Sequence, residues 1–369
     1  MDKRSEFAEI LYNARYTSIT EPDIAEKSLS AISSWLKSSI PEKLYRYRTV
    51  SDNSINAFRN DEIWASMPNT FNDSLECMPC FDQERAKAAI ENEFNSENLK
   101  CKLNAIREGD IPPELKAIFP TDYIDNFIKD INSIIGTLGV EKISIEIRNA
   151  FIAILENGMG KYASDLYFST YIMMKYYMVA CFSETNTSLP MWGHYAQSHR
   201  GFCLEYDFRP IVGDCARKCD DILQCNNLML NYALAPIIYT PKRFDATESY
   251  IAMVLNQLKD SIKPQVGYYY PDMLLPIKLL LTKSADWEYE KEWRLFKGEW
   301  QVEAEHKCIA KIKPTAVYCG TNMHKSDKNV IVSIAKEKGI PSYQMLPHYF
   351  SADYEIRAVD MSLLERRNP

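Results

Sequence analysis

The sequence predicts an α+β protein whose sheet is interrupted by a helical block. Alternating apolar and polar residues mark strands early, in "KLYRYRTV" and "EIWASM". From about residue 82 to 176 the chain then reads largely helical, and strand-like runs return from "YMVACFS" onward. Strands that appear, stop and recur fit an α+β sheet better than a doubly wound parallel one. Neither G-x-G-x-x-G nor G-x-x-x-x-G-K-[ST] occurs, which removes the classical Rossmann and P-loop readings.

Residues 1–40 predict an N-terminal helical extension, with "EFAEILYNARY" and "DIAEKSLSAISSWLKSSI" as two polar-rich amphipathic helices ended by Pro41. Ser51 is placed to cap a short helix through "NSINAFRND". "PNTFNDSLE" is rich in turn formers, and Pro112, Pro113 and Pro120 break the helical block. "MWGHYA" reads as a short helix leading into a strand at "GFCLEYD", and "LAPIIYT" as one further strand. Two helices are expected over roughly 246–286, interrupted by "KPQVGYYYPD". "EWRLFKG", "HKCIAKI" and "TAVYCG" are strands, followed by a helix ending at Gly339 and strands near 341–346 and 354–359. The expected division is an extension over 1–40 and a main domain over 41–360, with 82–176 inserted as a mostly helical segment.

The chain of 369 residues is 46% hydrophobic and 25% charged, the balance of a soluble globular protein. A formal charge of -7 argues against a nucleic-acid binder that works through a general basic surface, while leaving a local basic groove open. No signal peptide and no bilayer-length apolar run is visible, so a cytoplasmic location without membrane contact is expected. Ten cysteines then read as reduced thiols. Cys77 and Cys80 have the spacing of a zinc half-site without a matching second half, and Cys215, Cys219 and Cys225 are unevenly spaced. His194 and His199, five apart, miss a common helical face, and Glu205 supplies no third convergent ligand. No metal site is expected.

Four separated pieces, "LYRYR" (44–48), "PNTFNDSLE" (68–76), "CFSE…LPMWGHYAQSHRGFCLEYD" (181–207) and "WEYEKEWRLF" (287–296), resemble in this order the bacterial domain-of-unknown-function family 2971. The similarity runs from about 43 to 350. The order of strand, short helix, strand and FND loop also resembles the opening of the ADP-ribosyltransferase fold as seen in DarT-like toxins. That resemblance implies a split mixed or antiparallel sheet core and NAD as the substrate. It carries Arg46 onto the NAD-binding position of the first strand, Tyr195 onto the aromatic position, and Glu292 onto the catalytic acid. Glu290 completes an E-x-E pair, and Trp192 and His194 are alternatives to Tyr195. The chain departs from the commoner pattern in having Arg rather than His at the first position, and in its long helical block.

The residues suit that chemistry. Breaking the nicotinamide–ribose bond develops oxocarbenium character while nicotinamide leaves neutral, so a carboxylate bonded to a ribose hydroxyl is the useful catalyst. Glu292 is expected in that role, with Glu290 orienting or deprotonating the acceptor. In an extended strand the two share a face, and their proximity is expected to raise at least one carboxyl pKa. Arg46 and Arg48, beside Tyr45, are expected to meet the pyrophosphate or adenosine ribose, Asn72 and Asp73 the sugar hydroxyls, and Phe71, Trp192, His194 or Tyr195 the rings. Each has a plainer alternative. The Glu290, Glu292 and Arg294 series also fits a salt-bridge ladder on a solvated strand, Arg46 and Arg48 an edge strand's surface, and "FND" an Asx-turn plugging the core. His199 reads as structural, bonded to backbone near Gly201, and Glu205 as a partner of Arg200 or His194. The function expected is a toxin or anti-phage effector moving ADP-ribose onto protein or nucleic acid. The helical segments would meet an antitoxin or regulator. A non-catalytic nucleotide sensor and a metal-dependent hydrolase are the alternatives.

Overall fold

The computed structural model describes residues 2–14, 16, 22–93, 95–110, 120–212, 234–252, 254, 272–298 and 305–365. Helices and one mixed sheet make the protein α+β. The chain forms two compact units, the first from residues 1–79, 169–244 and 272–369, the second from 80–168 and 245–271.

The sheet lies in the first unit. Its strands are β1 (Leu44–Arg48), β2 (Glu62–Ser66), β3 (Tyr177–Ser183), β4 (Phe202–Tyr206), β5 (Leu234–Pro236), β8 (Glu292–Gly298), β9 (His306–Lys311), β10 (Ala316–Cys319), β11 (Ser342–Pro347) and β12 (Ile356–Asp360). One run is ordered β12-β11-β10-β4-β1-β3, parallel only between β10 and β11. β3 is the junction. β8 pairs along all seven of its residues, so β1 and β2 must share the other edge, meeting it at Tyr45↔Ser183 and Ser66↔Val179. Burial on both faces explains the near-continuous apolar sequence of β3, with Met178, Val179, Ala180 and Phe182 all inside.

"LAPIIYT" is two strands rather than the single one expected. The chain breaks at Ile237, whose N–H donates to the Glu292 carbonyl at 2.9 Å. β5 then pairs with β8, while β6 (Ile238–Thr240) runs parallel to β7 (Thr282–Ser284) in a separate two-stranded sheet. The Ser51 cap is present as a reciprocal capping box with Ser54, and the late helix Lys325–Lys338 ends at Gly339. The helices Lys3–Asn13 and Pro22–Ser39 lie in the same unit, with Phe7 stacked on Trp35 at 4.7 Å. Arg4 donates to the carbonyls of Ile237 (2.6 Å) and Glu292 (3.0 Å) and pairs with Glu184.

The second unit contains the helices Gln83–Glu93, Ser96–Arg107 and Thr121–Leu138 and most of Val140–Met174. Residues 247–252 are helical too, and Phe81 stacks on Tyr250 with ring centroids 4.8 Å apart. Pro120 stands at the start of Thr121–Leu138, as its missing N–H favours. Pro112, Pro113, most of "KPQVGYYYPD" and Cys215, Cys219 and Cys225 lie outside the described residues. Among the described residues no helix is long and apolar enough to cross a membrane.

Candidate functional site

Opposite residues of an antiparallel pair share a sheet face, and neighbours along a strand alternate. The pairs Tyr45↔Ser183, Ser183↔Glu292 and Cys181↔Arg294 therefore put Tyr45, Glu292 and Arg294 on one face. Arg46 and Arg48 fall on the other face with Phe182, and Arg46 sits over its ring at 5.6 Å. The expectation that Arg46 meets Tyr195 and Glu292 in one cleft is thus corrected by the pleat itself.

The Glu292 face carries a buried ionic cluster. Arg294, fully inaccessible, donates through Nε to Glu292 Oε1 (2.8 Å) and through Nη2 to Glu76 Oε1 (2.5 Å), and through Nη1 to the Leu280 carbonyl. Lys283 Nζ meets Glu290 Oε2 at 2.6 Å, Glu292 Oε2 at 3.0 Å and Glu76 Oε2 at 3.6 Å. Phe71 covers Arg294, its ring centroid 5.2 Å from the guanidinium carbon. A solvated strand ladder is excluded, because Glu290 and Glu292 are each only 3% exposed. Nor do they lie on one strand. Glu290 ends the 3-10 turn Ala285–Glu290, Lys291 takes a left-handed φ of 44°, and β8 begins at Glu292. That kink, not strand periodicity, brings both carboxylates to Lys283.

Three carboxylates against two cations leave one excess negative charge, and it is not shared evenly. Burial pushes the Glu290 carboxyl up, and the nearby Glu292 charge adds to that. Burial acts on Glu292 in the same sense, yet the charges of Arg294 and Lys283 outweigh it and hold that carboxyl below the usual range. Lys283, penalised by burial, is held protonated by Glu292, Glu76 and Glu290. Of the two late acids, Glu290 is therefore the proton-accepting one. Its Oε1 accepts from the Tyr195 hydroxyl at 2.6 Å, and the exposed Asn72 donates to that hydroxyl through Nδ2 at 3.3 Å. Burial, followed by the Glu290 bond, raises the Tyr195 pKa, so Tyr195 stays a donor.

The tryptophan turn splits between site and core. Leu189–Tyr195 is a short helix capped by Ser188. Trp192 is wholly buried, edge-on to Tyr47 at 5.2 Å and donating to the Asn186 carbonyl, so it packs the core rather than stacking on a ligand. Tyr45 is likewise core, edge-on to Tyr318 at 5.8 Å. His194 is exposed, 6.2 Å from the Tyr195 ring and 6.3 Å from Tyr289. The His199 ring stacks on Trp192 with centroids 6.2 Å apart and its Nδ1 is buried without a hydrogen-bond partner, so the backbone bond expected of the ring is made instead by its carbonyl, which accepts from the Asn322 N–H. Residues 197–199 all have positive φ (52°, 52°, 65°), a costly turn for non-glycine residues. Two close glycines accommodate it, since a Cβ on Gly201 would sit 2.1 Å from the Arg48 carbonyl oxygen and one on Gly320 2.1 Å from that of His199. Glu205 bonds Tyr318, Thr315 and Lys43, neither Arg200 nor His194.

Asp73 accepts from the Leu75 N–H, the Asx-turn expected of the loop, and with Glu76 and Lys283 lines a cleft of about 160 Å³. Cys77, on the same wall, has its thiol pushed up to about 12 by burial. Among the described residues no group of three or more His, Cys, Asp or Glu is arranged to hold a metal. Sequence reasoning passed over Glu76 and Lys283. Glu76 closes the quoted "FND..E" piece, but Lys283 has no local signature, since its role exists only once tertiary packing gathers Glu76, Glu290 and Glu292 around it.

These features define an α+β protein with a buried acid–cation cluster in which Glu290, its carboxyl pushed up, is bonded by a tyrosine. Residues 191–295, from the tryptophan turn into β8, match the family described as "Protein of unknown function (DUF2971)". Over this stretch the chain is similar to that family, the one its motifs resemble; "LYRYR" and "PNTFNDSLE" lie outside the match. No curated protein and no solved structure matches the chain.

Proposed function

We propose that the protein is an ADP-ribosyltransferase-like enzyme that breaks the nicotinamide–ribose bond of NAD and passes ADP-ribose to a protein or nucleic-acid acceptor. The observation that carries this reading is the 2.6 Å bond between Tyr195 and Glu290, two side chains from motifs far apart in the chain. In this reading Glu290 takes the role first assigned to Glu292. It accepts from a ribose hydroxyl, a bond that strengthens as positive charge grows at the anomeric carbon, and its raised basicity also suits it to take the acceptor's proton. Tyr195 holds the carboxylate in place and Asn72 holds Tyr195. Glu292, Lys283, Arg294 and Glu76 position Glu290 and set its charge. The exposed His194 and the partly buried Tyr289 lie beside Tyr195. A role as toxin or phage-defence effector, with a regulator bound through the helical segments, belongs to the same proposal.

The test uses NAD labelled in its adenylate and reads nicotinamide release and label transfer. Wild-type turnover with at least about a hundredfold loss in Glu290→Gln is expected. Absence of release and of transfer from the wild type ends the enzymatic reading; saturable NAD binding without turnover would replace it with the nucleotide sensor.

A further inference from the structure

Neither Tyr195 nor Glu290 lines the cleft of about 160 Å³, which poses a separate problem. Its wall comes entirely from the first unit: the loop from Asp73 to Met78, the end of β6 with the residues that follow it, the helix bearing Leu279, and β7. Most polar groups on that wall are already answered. Thr240 donates to the Lys242 carbonyl, Thr282 to the Lys278 carbonyl and Ser284 to the Asp286 carboxylate, while Asp73 holds its own turn. Glu76 is different. Its side chain is only 2% exposed and its Oε1 takes the Arg294 bond, yet Oε2 has no hydrogen-bond donor, and Lys283 Nζ stands off at 3.6 Å. Lys283 is drawn instead to Glu290 and Glu292, at 2.6 and 3.0 Å. A buried carboxylate oxygen without a donor is costly, and the cluster around this one already sets three carboxylates against two cations. The inner end of the cleft therefore lacks a donor, and a positively charged one. Its mouth has the other sign, for the exposed Lys242 and Arg243 line the same cleft. Leu75, Met78, Phe244 and Leu279 make the rest of the wall largely apolar.

We infer that this cleft binds a small ω-amino acid, its ammonium group donating to Glu76 Oε2, its methylene stem on the apolar wall and its carboxylate meeting Lys242 and Arg243. Charge selects the cation at the inner end. Geometry selects ammonium over guanidinium. A guanidinium pairs best with both oxygens of one carboxylate, and Arg294 already occupies Glu76 Oε1, whereas an ammonium is a point charge that one oxygen can hold. Volume sets the length. A cavity of about 150 Å³ holds a six-carbon ring, so this cleft takes about six non-hydrogen atoms. The nitrogen and methylenes of 6-aminohexanoate make up that number and leave the acid at the rim. The inference goes beyond the NAD reading, since no step of that chemistry takes place in this cleft.

Calorimetric titration at low ionic strength with 6-aminohexanoate, pentylamine, hexanoate and 6-acetamidohexanoate tests the inference. Saturable binding of 6-aminohexanoate is expected, with hexanoate and 6-acetamidohexanoate, which lack the cation, at least about tenfold weaker. Pentylamine, which lacks the acid, should bind about two- to fivefold more weakly, since an exposed ion pair contributes little. Glu76→Gln is expected to weaken 6-aminohexanoate by at least about tenfold. Because that change also touches Arg294, Leu75→Trp serves as a second variant. Leu75 is 60% exposed, so the larger ring crowds the cleft while every buried ion stays in place. This variant should melt with the wild type and bind at least about tenfold more weakly. No saturable binding by the wild type, hexanoate binding as tightly as 6-aminohexanoate, or undiminished binding by a folded Leu75→Trp would each overturn the inference. None of these measurements contains NAD, so a negative result here leaves the transfer chemistry standing, and failure of that chemistry leaves the cleft standing.

Discussion

The Tyr195 hydroxyl and the Glu290 carboxylate meet at 2.6 Å, with Lys283 Nζ at the same distance from the other carboxylate oxygen. Glu290 is therefore gripped from both sides, by a neutral donor toward the surface and a cation toward the interior. Tyr195→Phe removes the outer grip. That bond favours the charged carboxylate, so its loss moves the Glu290 pKa further up. The acid limb of any pH–activity profile should shift to higher pH, with a stability cost of about 1–2 kcal/mol, checked by nicotinamide-release kinetics and urea unfolding.

Arg294→Met should be among the most damaging single changes. Arg294 is fully buried and answers both Glu76 and Glu292, so its removal strands two carboxylates in the interior. Breaking a buried ion pair from one side costs about 3–5 kcal/mol, which denaturant titration reads directly. Arg294→Lys is expected to recover little, because a single ammonium cannot replace three differently aimed contacts.

Stability should depend on pH in opposite senses at the two late acids. Glu290 has a raised folded pKa, so its contribution is fully present below the unfolded value and is lost as pH rises through the folded one. Glu292 has a lowered folded pKa, so its contribution is present above the unfolded value and is lost as pH falls through the folded one. Glu290→Gln removes the excess negative charge and should raise the melting temperature at pH 8 relative to wild type, with a smaller difference at pH 4. Glu292→Gln should lower the melting temperature at pH 8. Melting curves for both variants across that range check the pair of signs.

Gly320→Ala should destabilise by more than about 3 kcal/mol, since its new methyl group would meet the His199 carbonyl at 2.1 Å, a backbone atom that cannot step aside cheaply. Gly193→Ala is the matched control. Nothing lies within 4 Å of a Cβ there and the residue is helical, so a gain of about 0.5–1 kcal/mol is expected by thermal unfolding.

Much of this architecture was legible in the residues. Early strands, the helical block and late strands follow from local period and turn chemistry, and the Ser51 cap and Gly339 stop are local signals as well. The pieces of the site were legible as motifs, but their arrangement was not. Reading Arg46 toward Glu292 ignored that Tyr45, not Arg46, stands opposite Ser183, and a one-residue offset reverses a side chain's face. Placing Glu290 and Glu292 on one strand missed the left-handed Lys291, where no glycine or asparagine marks the kink. Lys283 escaped notice because its three carboxylate partners gather only through tertiary packing. Trp192 looked like a ligand platform since a buried indole and an exposed one leave the same trace in sequence.

The bond between Glu76 and Arg294 spans 218 residues of chain. During synthesis on the ribosome, the loop bearing Glu76 emerges long before its counter-cation has been translated. Until then that acid must stay hydrated, and the neighbouring apolar side chains cannot close over it. A chain ending short of β8 would lack the cation that answers Glu76, and sealing this part of the interior waits on Arg294 to supply it.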